Sequence, residues 1–270
     1  MNTVPVSVII PCYNCENTIH RAVSSVVRQT ARPAEVMLIN DASTDNTLHL
    51  LYKLQKKYSE LGIHVLSLLQ NQGPGVARNI GWNHASAACL AFLDADDVWH
   101  PEKLNCQYGW MTRHPDIAIT SHRCIQIVRD AYDFWKIPSI PTAYELKPWN
   151  LLLRNQMLTR SVMLYRMLPF RFPEEKRHSE DYCLWLEMVL NGIHAWYIDT
   201  PLAASFKFSY GEGGLSRNLS AMESGELDTY RRLRRKKLLS TTLTIGLFGF
   251  SLIKHFRRML ISLAKKTHGF

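Results

Sequence analysis

The chain lacks acidic residues in its last part, and this absence locates its positive charge. No Asp or Glu follows Asp228, whereas eleven Lys or Arg residues lie between Arg231 and Lys266. The formal net charge is +9, but the first 228 residues hold 21 basic and 23 acidic side chains. The larger part of the chain is therefore nearly neutral, and the basic tail is the part expected to meet an anionic partner.

Paired cysteine motifs are scarce as well. The six cysteines include one C-x-x-C spacing, Cys12 to Cys15, but no second such pair and no histidine pair completes a zinc set. Two reduced thiols beside a loop are favoured over a redox pair, so the sequence predicts a reducing, cytosolic environment. The first residues run directly into a strand pattern without a charged leader, and secretion is not expected.

The tail also lacks an apolar run of membrane-spanning length. Its uncharged stretch, residues 238–253, contains several Ser, Thr and Gly residues. As a helix it would reach about 24 Å, which is shorter than the hydrocarbon core of about 30 Å. Basic residues flank the stretch on both sides, which favours a helix lying in the interface of an anionic membrane. A short span is the alternative.

We predict that the anionic membrane surface is bound through residues 231–266. Nucleic acid is the other anionic partner of such a stretch. However, the residues between the basic side chains are mostly aliphatic rather than stacking aromatics. No DNA- or RNA-binding motif is present either, so no nucleic-acid partner is expected.

Short apolar runs alternate with amphipathic stretches through the first 120 residues. Predicted strands cover residues 6–11, 35–40, 63–69, 89–93 and 117–121, and predicted helices cover residues 17–29, 45–58, 75–87 and 101–113. This alternation, with strands apolar on both faces, predicts an α/β fold with a mostly parallel central sheet flanked by helices. Further along, helices are predicted at 149–155 and 182–190, and strands at 161–165 and 195–198.

Polar and acidic residues follow three of these strands. Residues 11–14 follow the first strand, residues 41–45 follow the second, and Asp94, Asp96 and Asp97 follow the fourth. In open sheets, ligands bind beyond the carboxyl ends of the strands. Three carboxylates within four residues repel each other unless a cation or hydrogen-bond donors compensate. The sequence therefore predicts a ligand site at this edge of the sheet.

Five segments of the chain form a recognisable set: residues 6–14 (VSVIIPCYN), 39–45 (INDASTD), 71–79 (NQGPGVARN), 93–97 (LDADD) and the pair Glu180-Asp181. Together they resemble the family 2 glycosyltransferases, whose fold is of the GT-A type, and in particular bacterial O-antigen and surface-polysaccharide transferases. Each segment alone is a weak signal, but their order and spacing together are specific. The resemblance spans roughly residues 4–215 and is densest over the first 110.

The resemblance implies a set of residues that hold the donor nucleotide. These are Pro11, Tyr13, Asp41, Arg78 and Asp94. Tyr13 would stack on the base and Asp41 would hydrogen bond to it. From the residues alone, packing in the core is an equally good interpretation of Tyr13. A solvated charge on a helix is the alternative for Arg78. Asn40 departs from the family pattern, which often has an acidic residue there.

The resemblance also implies a metal site and a general base. Asp94 and Asp96 form the acidic motif, in which Asp96 would ligate Mn²⁺ or Mg²⁺ and Asp94 would lie beside the ribose or in the outer shell of the metal. Asp181 matches the general base, with Glu180 and Asp97 as supporting acids. Acidic residues are common at helix N-termini, so without the upstream motifs the Glu180-Asp181 pair would not indicate a general base.

The expected reaction is transfer of one sugar with inversion, because one base and no second nucleophile are apparent. The chain lacks the Gln/Arg-x-x-Arg-Trp pattern of processive members after Asp181. By resemblance, the donor is a UDP-sugar, the acceptor is a lipid-diphosphate-linked sugar, and the enzyme works at the cytoplasmic face of the inner membrane. A non-catalytic nucleotide-sugar- or lipid-binding protein on the same scaffold is the alternative.

Three regions are predicted along the chain. Residues 1–228 would form the transferase domain, with a nucleotide-binding part at 1–121 and an acceptor-binding part at about 149–216. Residues 229–270 would form the membrane-associating helical tail. Within the second region, the glycine-rich residues 210–216 are predicted to form a mobile loop over the site.

Overall fold

The computed structural model describes residues 2–127, 135–138, 141–206 and 218–267, with side chains described as far as Met259. This part of the chain contains nine strands and eight α-helices. The strands are β1 (Asn2–Cys12), β2 (Ala31–Asn40), β3 (Ile63–Ser67), β4 (Cys89–Phe92), β5 (Asp97–Trp99), β6 (Ile119–Gln126), β7 (Ala143–Glu145), β8 (Met163–Tyr165) and β9 (Ala195–Ser205). The helices are α1 (Ile19–Val27), α2 (Thr47–Lys57), α3 (Pro74–His84), α4 (Lys103–Arg113), α5 (Pro148–Leu153), α6 (Glu180–Leu190), α7 (Leu219–Arg235) and α8 (Thr241–Thr267). Each α-helix and strand predicted over residues 6–121 is present.

The N-terminal half of the sheet is parallel, as predicted. Its strands lie in the order β3-β2-β1-β4, and each neighbouring pair is parallel. The centres of β1 and β2 are buried on both faces, which explains their continuous apolar runs. Since these strands point the same way, the loops after β1, β2 and β4 meet at one edge of the sheet.

The other half of the sheet is mixed, so the prediction of a mostly parallel sheet is wrong there. Strand β8 lies antiparallel between β4 and β6, and β9 pairs in parallel with β6. Strands β5 and β7 pair antiparallel with β9. An apolar run reports burial on both faces but does not encode the direction of a strand. The sequence pattern therefore could not distinguish a parallel from an antiparallel neighbour.

Two apolar clusters lie on opposite faces of the sheet. Helices α1, α2 and α4 contribute to one cluster, and α3, α5, α6, α7 and α8 contribute to the other. Tyr230, Leu233 and Leu247 are buried in the second cluster, together with residues of α6. The boundary predicted after residue 228 falls inside α7, and the first part of the predicted tail shares the core of the preceding chain.

Helix α8 packs on α7 with one face only. Within the described segments, no helix is both long and apolar enough to cross a bilayer. Two ion pairs join α8 to Glu226 of α7. Lys254 Nζ lies 2.5 Å from Glu226 Oε1, and Arg258 Nη2 lies 3.3 Å from Glu226 Oε2. The glycine-rich loop predicted at residues 210–216 lies outside the described residues.

Candidate functional site

The loop after β1 presents Tyr13 to solvent at the edge of the sheet. This side chain is 49% exposed, so the core-packing alternative for Tyr13 does not hold. The next residue, Asn14, has a left-handed backbone (φ 46°), and its Oδ1 accepts a hydrogen bond of 2.8 Å from the Thr44 backbone N–H. A strained backbone of this kind persists only where neighbouring contacts hold it. The loops after β1 and β2 are therefore fixed against each other beside an exposed aromatic ring.

Asp41 is buried and organises the loop before α3. Its Oδ1 accepts a hydrogen bond of 2.8 Å from the Gln72 N–H, and its Oδ2 accepts one of 2.8 Å from the Gly73 N–H. The Asn71 side chain donates to the same Oδ2 over 3.0 Å. The described contacts of Asp41 are thus with its own protein, and its bond to a base stays a prediction.

Arg78 joins the acidic turn after β4 to the start of α6. Its Nη2 lies 2.7 Å from Asp94 Oδ1, and its Nη1 lies 3.0 Å from Glu180 Oε1. The guanidinium is buried, which excludes the alternative of a solvated helix charge. Three predicted site residues, about a hundred positions apart at the extremes, are therefore in direct contact.

Glu180 is kept close to this guanidinium by tight packing. A Cβ atom on Gly75 in the first turn of α3 would lie 3.2 Å from Glu180 Cγ, so glycine permits this close approach. Burial raises the pKa of Glu180 to about 7, and the neighbouring Asp181 charge adds to the rise, while Arg78 opposes it. Glu180 is consequently a buried partner of Arg78 rather than a group open to solvent.

The acidic turn after β4 exposes two of its three carboxylates. Asp94 and Asp96 are partly exposed, whereas Asp97 is buried at 1% exposure. Asp97 Oδ2 lies 2.6 Å from Arg160 Nη1, and the same Nη1 lies 4.0 Å from Asp94 Oδ2. Burial raises the pKa of Asp97 to about 7, with Asp94 and Asp96 adding to the rise against the effect of Arg160. Asp97 therefore anchors the turn through its buried ion pair with Arg160.

Asp181 lies in the first turn of α6 with both carboxylate oxygens hydrogen bonded. Thr159 Oγ1 donates to Oδ2 over 2.8 Å, and the Tyr182 backbone N–H donates to Oδ1 over 2.7 Å. Ser179 precedes the helix with a left-handed backbone (φ 56°), and its side chain makes no capping bond. Asp181 is partly exposed, unlike the buried Glu180 before it.

The described residues offer a divalent cation carboxylate ligands but no complete set of them. In these ranges, no three His, Cys, Asp or Glu side chains come together as a metal site. Carboxylates are the ligands that Mg²⁺ and Mn²⁺ prefer, and the predicted ligands Asp94 and Asp96 are partly exposed in the turn after β4. The donor set therefore fits a cation whose remaining ligands come from a diphosphate and water.

Thr159 and Arg160 contact the site but were missed by the sequence reasoning. Both lie in a 3₁₀ turn, Thr159–Ser161, just before β8. Their side chains reach Asp181 and Asp97, which lie 22 and 63 positions away in the chain. No motif surrounds them, and only a tertiary contact reveals them.

Comparison with known proteins shows the family of the chain. The family model described as "Glycosyl transferase family 2" matches residues 7–168. The chain is 33% identical over 195 residues to UDP-Glc:alpha-D-GlcNAc-diphosphoundecaprenol beta-1,3-glucosyltransferase WfgD of Escherichia coli, covering 70% of this chain and 71% of that protein. It is 28% identical over 240 residues to the putative teichuronic acid biosynthesis glycosyltransferase TuaG of Bacillus subtilis, covering 88% of this chain and 91% of the relative.

A solved structure shares the fold at low sequence identity. The structure of S. aureus TarS 1-349 in complex with UDP-GlcNAc superposes with a TM-score of 0.72 and 22% identity. The match covers 95% of this chain and 73% of that one. It supports the expected GT-A-like arrangement of sheet and helices. With the family match covering more than half of the chain and the site residues meeting at one sheet edge, the chain belongs to glycosyl transferase family 2.

Proposed function

We propose that this protein transfers a single sugar, with inversion, from a UDP-sugar to a lipid-diphosphate-linked saccharide during assembly of a bacterial surface polysaccharide. The observation that carries the proposal is the double contact of Arg78 with Asp94 and Glu180. It brings the acidic turn after β4 next to the Glu180-Asp181 pair. The names of WfgD and TuaG, which refer to a diphosphoundecaprenol acceptor and to teichuronic acid, support the choice of acceptor class.

Asp181 is the group that would take the proton of the acceptor hydroxyl. Its carboxylate is partly exposed and is held by donors on both oxygens. Each carboxylate oxygen has a further lone pair that can accept the hydroxyl proton. Deprotonation by a positioned carboxylate raises the nucleophilicity of the attacking oxygen, which then displaces the diphosphate from the opposite face of the sugar.

Binding of the donor would rest on the loops at the carboxyl edge of the parallel strands. Tyr13 offers an exposed ring for the base, and Asp41 shapes the loop that leads into α3. Asp96, with Asp94 beside it, would hold Mn²⁺ or Mg²⁺. Such a cation stabilises the negative charge that develops on a leaving diphosphate.

The outward face of α8 would hold the enzyme to the cytoplasmic face of an anionic membrane. Ile245, Leu252, Ile253 and Phe256 follow helical spacing and are 53–70% exposed. Arg257 of α8 is exposed, and so are the basic residues in and just after α7: Arg231, Arg234, Arg235, Lys236 and Lys237. An exposed apolar face in a strongly basic segment fits a helix lying in the interface of a membrane that contains anionic lipid.

Replacement of Asp181 by Asn tests the proposed reaction. The variant keeps the shape of the side chain but removes its basicity, so we expect transfer to fall by at least about 1,000-fold, a magnitude within what general-base and positioning effects supply together. Donor affinity, measured by calorimetry with UDP-sugars and Mn²⁺, should change less than about threefold. The assay combines a panel of UDP-sugars with a short lipid-diphosphate-sugar acceptor.

Asp116→Asn serves as the control, because Asp116 is an exposed carboxylate in the turn after α4. Undiminished turnover by Asp181→Asn would remove Asp181 from the reaction. Donor binding without transfer by the wild-type protein, with every donor and acceptor, would instead favour a non-catalytic binding protein.

A further inference from the structure

The 3₁₀ turn Thr159–Ser161 contacts both Asp181 and the acidic turn after β4. Thr159 Oγ1 donates to Asp181 Oδ2 over 2.8 Å. The next side chain, Arg160, donates to Asp97 Oδ2 over 2.6 Å at the acidic turn. Two consecutive residues therefore connect Asp181, which is proposed to accept the proton, with the carboxylates after β4, which are proposed to face the diphosphate.

Buried side chains hold this turn in place. Trp99 Nε1 donates to the Arg160 carbonyl over 2.8 Å, and Gln107 Nε2 donates to the Ser161 carbonyl over 2.8 Å. Both Trp99 and Gln107 are fully buried. A turn whose carbonyl groups are bonded by core side chains has little freedom to move, so the Thr159 hydroxyl is presented at a fixed point.

The second hydrogen bond to Asp181 is the one that orients its carboxylate. The Tyr182 N–H bonds to Oδ1 from the adjacent residue, and this bond alone holds only one of the two carboxylate oxygens. A donor on Oδ2 from a distant element fixes the plane of the group. Positioning within about 0.5 Å is what a proton acceptor requires of its supporting residues.

We propose that Thr159 is a positioning residue that orients the Asp181 carboxylate for the acceptor hydroxyl, which rests on the function proposed above. Thr159 acts through Asp181 and does not itself exchange a proton with the substrate. The Thr159 side chain is buried and its hydroxyl makes the bond, so substitution can separate the hydroxyl from the bulk of the side chain.

Thr159→Val and Thr159→Ser separate the hydrogen bond from the packing. Val keeps the shape and removes the hydroxyl, whereas Ser keeps the hydroxyl and removes the methyl group. We expect Thr159→Val to lower kcat roughly tenfold, the equivalent of about 1.4 kcal/mol, with the donor KM changed less than twofold. Thr159→Ser should retain kcat within about threefold. Thr112→Val, at an exposed threonine of α4, should leave both constants unchanged.

Thermal unfolding of each variant shows whether the fold is kept. If Thr159→Val does not fold, Thr159→Ala compared with Thr159→Ser gives the same contrast. If Thr159→Val has the kcat of the wild type, or if Thr159→Ser and Thr159→Val lose kcat equally, the positioning role is overturned while the proposed transfer stands. Absence of transfer by the wild-type protein would overturn the proposed function and, with it, the role of Thr159.

Discussion

His122 is a buried imidazole on strand β6. It is 1% exposed, its Nδ1 lies 2.9 Å from the Arg123 carbonyl oxygen, and its Nε2 has no hydrogen-bond partner among the residues that the structure describes. Burial, together with the nearby positive charges of Lys103 and Arg160, lowers the pKa of His122 to about 3. The folded protein therefore keeps this ring neutral at pH values where the unfolded chain protonates it.

The pH dependence of stability follows from this difference. Between the unfolded pKa of about 6.5 and the folded value of about 3, the unfolded state binds the extra proton, so the free energy of unfolding decreases as the pH falls. His122→Gln removes this contribution. We expect its loss of stability between pH 7 and pH 5 to be smaller than that of the wild type by about 2 kcal/mol, measured by urea unfolding. The exposed His20 provides the control as His20→Gln, and equal slopes for wild type and His122→Gln would contradict the account.

At the residue scale, sequence motifs predicted the acidic residues of the candidate site but not Thr159 and Arg160, which contact them. The acidic residues after β4 and the pair before α6 are recognisable because they stand in motifs and at element boundaries. Arg160 and Thr159 are recognisable only when the turn at 159–161 is folded against α6 and β5. The buried state of Asp97 likewise depends on Arg160, which local sequence does not report.

Gly81 allows helix α3 to lie directly on strand β1. A Cβ atom on Gly81 would stand 2.6 Å from Ile9 Cγ2 and 3.3 Å from Ile9 Cγ1. Both residues contribute to the buried interior, and the helix begins at the loop that Asp41 holds. The separation of α3 from the sheet, and with it the position of Arg78, therefore depends on this glycine.

Substitution of Gly81 by Ala tests this close contact. Displacing Ile9 or the helix should lower the free energy of unfolding by about 1–3 kcal/mol, seen as a lower urea midpoint. Gly109→Ala in α4 is the matched control, because nothing lies within 4 Å of its added Cβ atom. That variant should be neutral or more stable by up to about 1 kcal/mol, as expected for Ala over Gly in a helix. A Gly81→Ala protein as stable as the Gly109→Ala protein would refute the close packing.

At the element scale, periodicity predicted which segments are helices and strands but not how the second half of the sheet is arranged. Helices α1 to α4 and strands β1 to β4 alternate with clear apolar patterns. Strands β5, β7 and β8 have only three residues each, which is too short for a pattern. Their pairing is decided by contacts with β4, β6 and β9, which are distant in sequence.

At the scale of the whole molecule, packed helices connect the proposed membrane contact on α8 to the site. Helix α8 packs on α7, and the buried residues of α7 share an apolar cluster with α6, whose first turn carries Asp181. Composition alone predicted a basic, separate tail. It did not predict that Tyr230 and Leu233 complete the core, so removal of the whole tail would also damage the fold.

Substitutions on the outward face of α8 test the membrane contact without touching that core. Ile253 and Phe256 are 70% and 60% exposed, so Ile253→Ser with Phe256→Ser should leave the unfolding temperature nearly unchanged. If this face enters an anionic membrane, the loss of two buried apolar side chains, about 1.5–3 kcal/mol each at full burial, should weaken binding to vesicles containing anionic lipid at least tenfold. The measurement is co-sedimentation with such vesicles at low and high salt, with vesicles of neutral lipid for comparison.

The matched control is Tyr52→Ser, since Tyr52 is a comparably exposed ring on α2 at 51%. Binding should weaken with salt for the wild type, because the basic residues beside the apolar face act through screened charges. A double variant that sediments like the wild type would show that this face does not meet the membrane. Transfer to a detergent-dispersed acceptor should persist in the double variant, since neither Ile253 nor Phe256 is a residue of the site. Transfer to an acceptor embedded in vesicles should fall with the loss of binding.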